Sequence, residues 1–330
     1  MHIPDGLMDP TVSAIGWIEF LVVLGAVLLL AGNRIKEKNL PRVAVLSAGI
    51  FVAQMLNFPI GGGTTGHLVG GALFAIIAGP MVAVIGMTVV LLIQALMFGD
   101  GGVTALGLNA LNMAVIAPLT GWGVYTLLKT MTEKEGRKSS AASGFVVGAA
   151  AWASVFVAAA ACAAELAVSY AVSSGAYGIA ATVSVPAMLG MHAVIGVGEG
   201  IITAGVLTYL WSVQPGAITS ASPTTRKVLP GWRALISGST ARAVVAIIIV
   251  FALALPLYFL YASAGKDGLE KTMENADVAE GEPLMASPFS YGENYFGALF
   301  AGLLGFLAVA LVALGMMKLV RMRAGKGTNP

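Results

Sequence analysis

Charge is scarce in this chain: Lys, Arg, Asp and Glu make up 10% of 330 residues, against 58% hydrophobic residues. Water-soluble domains carry about 25% charged residues. A soluble fold is excluded, and the long apolar runs point to membrane helices rather than barrel strands. Cysteine is nearly absent too. The lone Cys162 lies in an apolar run, which rules out a disulfide framework and a cysteine metal site. No Gly-x-x-x-x-Gly-Lys-Ser/Thr loop occurs, so ATP binding through a Walker motif is excluded. There is no His-Glu-x-x-His and no discernible Ser-His-Asp set, and the chain reads as a non-enzyme without a prosthetic group. The N-terminus lacks a basic stretch, and Asp5 and Asp9 are acidic, so no cleavable signal is evident. The formal charge of +2 is uninformative, and no nucleic-acid partner is expected.

What is present is apolar length. Nine segments can be drawn, at roughly 12–32, 43–57, 66–79, 81–98, 103–128, 142–173, 182–211, 238–263 and 294–317. The third is short against the ~20 residues of a span and is read as a short crossing shielded by its neighbours. Basic residues test the count. Arg34, Lys36, Lys38 and Arg42 follow the first segment; Lys129, Lys134, Arg137 and Lys138 the fifth; Arg226, Lys227 and Arg233 the seventh; Lys318, Arg321, Arg323 and Lys326 the ninth. With nine crossings and the N-terminus outside, all of these fall in the cytoplasm, as does the C-terminus. The expected fold is an all-α integral membrane protein. Residues 1–212 form a seven-helix bundle, 213–237 a Pro-containing cytoplasmic linker, and 238–330 a two-helix hairpin around an acidic external loop. Membrane lipid is its surroundings, and the cell inner membrane its expected location. The same parity puts Met1, the Phe58–Gly66 loop, the Gly99–Gly102 loop and the 173–181 loop on the external side.

The chain opens Met1-His2-Ile3-Pro4-Asp5-Gly6. A free Met1 amine, the deprotonated His2 amide and His2 Nδ1 close a five- and a six-membered ring around one ion. Three nitrogens in a plane suit Ni(II) or Cu(II), with Co(II) less obvious; on its own, Met-His also occurs by chance. Only two other histidines exist, His67 and His192. His67 follows the run Gly61-Gly62-Gly63-Thr64-Thr65-Gly66, whose glycines permit close backbone approach. It reads either as the fourth nitrogen or as a solvated loop histidine. His192, Gly196 and Gly200 share one helix face, with Glu199 nearby. An intramembrane ionisable group is a functional candidate; the plain alternative is a structural His192–Glu199 pair. Glu19 and Glu165 are similar cases. Gln54, Asn57, Asn109 and Asn112 read as loop-holding amides. The 15 methionines are scattered and read as packing. Gly297, Ala301 and Gly305 form a small-residue stripe on the last helix. The acidic loop either gathers cations or is simply solvated.

Three blocks together resemble a known family. They are Met1–Gly6, then Phe51–Pro59 with Gly62–Leu68, and His192–Gly200. All are similar to the cobalt/nickel substrate-binding M components of energy-coupling factor transporters, over residues 1–212. The resemblance implies one ion held near the external face by the Met1 amine, the amide and imidazole of His2, and His67. Asn57, Thr65, His192 and Glu199 are candidates for supporting groups. Residues 238–330 resemble the two-helix N component often fused to M; Asp267-Gly268-Leu269-Glu270 is similar to its Pro-Asp-Gly-Leu-Glu signature, with Lys266 in place of the proline. Fusion tilts the expectation from cobalt toward nickel. The resemblance also implies a transmembrane coupling (T/Q) component and a cytoplasmic ABC-type ATPase (A/O), with ion release by tilting of the substrate component. The expected function is ATP-coupled uptake of Ni2+ or Co2+. A stand-alone secondary divalent-metal permease, using Glu19, Glu165, His192 and Glu199 as a polar path, is the alternative, as is a membrane metal sensor.

Overall fold

Apolar runs of this length become helices because a lipid-embedded backbone must satisfy its own hydrogen bonds. The computed structural model describes residues 1–31, 39–61, 64–134, 140–213, 238–262 and 265–326. Its helices are α1 (Pro10–Ala31), α2 (Leu40–Gln54), α3 (Gly71–Ala78), α4 (Pro80–Ile93), α5 (Leu106–Ala110), α6 (Ala117–Lys134), α7 (Ser140–Val172), α8 (Ala181–Val213), α9 (Gly238–Tyr261), α10 (Gly268–Asn275) and α11 (Tyr295–Lys326). Two short antiparallel strands, β1 (Asn57–Gly61) and β2 (Thr64–His67), lie between α2 and α3. π-Helical turns extend α4 over Gln94–Phe98 and join α5 to α6 over Leu111–Ile116.

Nine spans are expected from the sequence. Seven helices among the described residues are long and apolar enough to cross a membrane. α2 has 15 residues, ~22 Å at 1.5 Å per residue, against an apolar core of about 30 Å. α3 has only 8 residues. Its start is lost to β2, and its end is set by Gly79, at φ +89°, followed by Pro80 at the first position of α4. Both short helices are largely buried, and the chain still returns to its starting end after α2, because the His67 ring stacks on that of His2 with centroids 5.1 Å apart. The expected linker, from residue 214 to 237, and Arg34, Lys36, Lys38, Arg137 and Lys138 lie outside the described residues.

α4 is the central helix, with 78% of its spanning window buried; α1 and α9, at 17% and 11%, present apolar side chains outward as lipid-facing helices do. The small-residue stripe of α11 seats α2, since a Cβ at Gly305 would lie 2.0 Å from the Phe51 ring. The two-helix hairpin is thereby packed onto the bundle, and its acidic loop is not simply solvated. It contains α10, which packs against α8 and β2.

Candidate metal centre

The first residues of the chain are threaded into the bundle. Met1 and Ile3 are 2% and 0% exposed. Asn109 clamps Ile3 with both ends of its amide, Oδ1 accepting from the Ile3 N–H (2.8 Å) and Nδ2 donating to its carbonyl (3.0 Å). Asp5 accepts from the Thr104 N–H and hydroxyl at 2.7 and 2.6 Å, and from the Leu284 N–H at 2.9 Å. Burial opposes ionisation of Asp5, but these hydrogen bonds hold its pKa below the ordinary value. Glycine is required beside this segment: a Cβ at Gly102 would lie 2.2 Å from the Asp5 nitrogen.

His67 reaches the same place from β2, where it is 8% exposed and pairs across the ladder with Asn57. The exit from β2 is fixed by Glu199, whose carboxylate accepts from the Val69 and Gly70 N–H groups at 2.7 and 2.8 Å. A carboxylate at these amides, where α3 begins, also complements that helix's dipole.

Hydrogen bonds define which ring nitrogens hold lone pairs. The Val69 carbonyl only accepts, so Gln54 Nε2 donates to it at 2.7 Å. Gln54 Oε1 therefore accepts from Gln94 Nε2 at 2.8 Å, which leaves Gln94 Oε1 to accept from His2 Nε2 at 3.3 Å. His2 Nδ1, the nitrogen that closes a chelate with the residue's own amide, lies on the other side of the ring. His67 Nδ1 donates to the Leu68 carbonyl at 3.2 Å, which puts its lone pair on Nε2. His192 Nδ1 donates likewise to the Met188 carbonyl at 2.8 Å. Such outer partners set tautomers at metal sites.

The remaining ring nitrogens face carboxylates. His2 Nδ1 lies 3.1 Å from Asp100 Oδ1, and His67 Nε2 lies 3.9 Å from Asp267 Oδ2. A proton or a metal cation between nitrogen and carboxylate satisfies such a contact. The Met1 ammonium supplies one positive charge, donating to Asp267 Oδ2 at 3.1 Å. Burial lowers the pKa of both rings, that of His67 to about 3, with the Met1 ammonium adding to the effect. Burial is the largest influence on the ammonium and acts against it, but the surrounding groups, Asp267 first, together raise the amine pKa. Asp267 is held well below the carboxylate range: burial acts against it, but the Met1 ammonium, His67 and the hydrogen bond with Glu270 together prevail. The centre thus has two neutral imidazoles, one ammonium and two carboxylates.

Met1, His67, His192 and Asp267 line a cavity of about 10 Å³, and a second of about 180 Å³ is lined by His2, Asp100, Asp267, Glu270 and Glu280 among others. Met1, His2 and His67 are therefore brought together. His192 borders the smaller cavity. Thr65 ties β2 to the C-terminal unit, its hydroxyl donating to the Gly265 carbonyl (3.1 Å) and its N–H to that of Lys266 (2.8 Å). Glu199 stands apart with its backbone amides and is not paired with His192. Glu165 is likewise engaged elsewhere, accepting from Asn112 at 2.6 Å. Sequence reasoning did not single out Asp100 and Asp267, the carboxylates that face the candidate donors. Both sat in loops assigned to the external side, and Asp267 lies within the Asp267–Glu270 signature match, so the signal was present.

The family model described as the cobalt uptake substrate-specific transmembrane region matches residues 2–217. A putative fused nickel transport protein NikMN of Archaeoglobus fulgidus is 34% identical over 97% of this chain and 99% of its own length. A putative metal transport protein of Haloquadratum walsbyi is 42% identical over 66% of this chain and 93% of its own. Among solved structures, that of a transition metal transporter is 35% identical with a TM-score of 0.58, covering 64% of this chain and 93% of the other.

Proposed function

The chain belongs to the family of cobalt uptake substrate-specific transmembrane proteins, a multi-pass membrane transport component rather than an enzyme, and we propose that it is the capture subunit of an ATP-coupled uptake system for Ni2+ or Co2+. The ion is the substrate. Its donors are the Met1 amine, the His2 amide and Nδ1, and His67 Nε2. The observation that supports this reading is the meeting of the His2 and His67 rings, centroids 5.1 Å apart, beside the buried Met1 amine. Four nitrogens suit Ni(II) in particular, and the full-length similarity to a protein named for nickel supports that choice. The site faces outside, where a nutrient ion arrives. Energy comes from partners, a transmembrane coupling component and a cytoplasmic ABC-type ATPase, because the chain has no Walker motif of its own.

Elemental analysis of the purified chain, with a competition titration between Ni2+ and Co2+, tests the capture step. Stoichiometric metal with nickel preferred is expected; a chain that takes up neither ion defeats the reading. Flux into vesicles then tests coupling. Uptake requires the partners and ATP, and transport by the chain alone overturns this part.

A further inference from the structure

Asp267 lies 266 residues from Met1 in the chain, and its two oxygens have different tasks. Oδ1 accepts from the Leu269 and Glu270 N–H groups at 2.7 and 2.8 Å, and Glu270 accepts in return from the Asp267 N–H at 2.6 Å. This capping box starts α10. Oδ2 receives the Met1 amine and lies against His67 Nε2. The carboxylate is therefore placed by its own helix, and the preceding residues are pinned to Thr65 of β2. Gly268 lets α10 come this close, since a Cβ there would lie 2.6 Å from His192 Cε1.

We infer that Asp267 is the charge partner of the capture site: a positioning residue, supplied by the C-terminal unit, that holds Met1 in place before capture and faces the bound divalent cation afterwards. The inference rests on the capture reading above. An ion bound to both Met1 and His67 sits within reach of Oδ2, because Oδ2 already borders both donors. A buried cation is costly without a counter-charge. Asp100, beside His2, answers this from the bundle, and Asp267 answers it from the hairpin, so the site is shared between the two units.

Two variants of the full chain separate charge from helix capping. Asn is as good an N-cap as Asp but has no charge; Glu keeps the charge and caps poorly. In a nickel titration Asp267→Asn weakens binding by ~10–100-fold, the usual cost of an outer partner, and Asp267→Glu weakens it less. The reverse order, or two variants indistinguishable from the parent, overturns the inference. Hydrogen exchange across residues 268–275 is measured in parallel; an Asn variant that loses affinity only together with α10 also overturns it. A parent chain that binds no nickel defeats the capture reading instead, whatever the variants do.

Discussion

Two buried polar clusters lie close together in this molecule and behave differently. At Glu199, a carboxylate meets two backbone N–H groups that never leave the fold. At Met1, His2 and His67, nitrogens meet the carboxylates of Asp100 and Asp267, partners that a cation can replace. A group whose partner is a fixed amide serves the architecture. A group whose partner is an exchangeable charge is free to take a ligand, as the proposed capture requires. Burial alone does not make this distinction, since Glu199 and Met1 are 0% and 2% exposed.

The sharpest way to break the comparison is His2→Ala. The imidazole is lost, and the six-membered ring with it. Nickel affinity should fall by more than the ~10–100-fold typical of outer-partner loss, with little change in thermal unfolding. Unaltered affinity by calorimetry sinks the chelate.

Acid is next. With both imidazoles already neutral at pH 7, the protons displaced by the ion come from the Met1 ammonium and the His2 amide. About two are released, so affinity falls about 100-fold for each pH unit of acidification above the histidine pKa values. Titrations in buffers of different ionisation enthalpy count them. Release of one proton or none removes the amide from the ligand set.

Glu199→Gln tests the other cluster. One backbone N–H is left facing an amide NH2, at a cost of about 1–3 kcal/mol in stability, while the folded fraction keeps its nickel affinity. A variant that unfolds like the parent but binds nickel poorly reverses the assignment of the two clusters. The smallest effect is expected for Gln54→Leu, which cuts the amide chain that fixes the His2 tautomer; a loss near ~10-fold in affinity is expected, and none at all means the tautomer needs no help.

Rarity made part of the candidate site legible in the sequence. Met1, His2 and His67 stood out because histidine occurs only three times in 330 residues. Asp100 and Asp267 did not, because carboxylates in loops are usually solvated, and only tertiary packing turns these two inward. The main helices were legible from apolar length. The β-hairpin was hidden by its glycines, which read as loop. The π turn bearing Gln94 was hidden because an extra residue in a helical turn leaves no mark on an apolar run. The shortness of α3 was recoverable in principle, since Gly79-Pro80 interrupts the segment at its end.

The Met1–Asp267 ion pair has a consequence for the order of assembly. It joins residues separated by 266 positions, and contacts of such separation carry the largest loop-closure cost and form late. Chains are also synthesised from the N-terminus, with early parts folding first. The partner of the amine is translated after the bundle, so the pair closes only once residue 267 has been made, and a chain interrupted before it keeps Asp100 beside His2 but lacks the carboxylate that faces Met1 and His67.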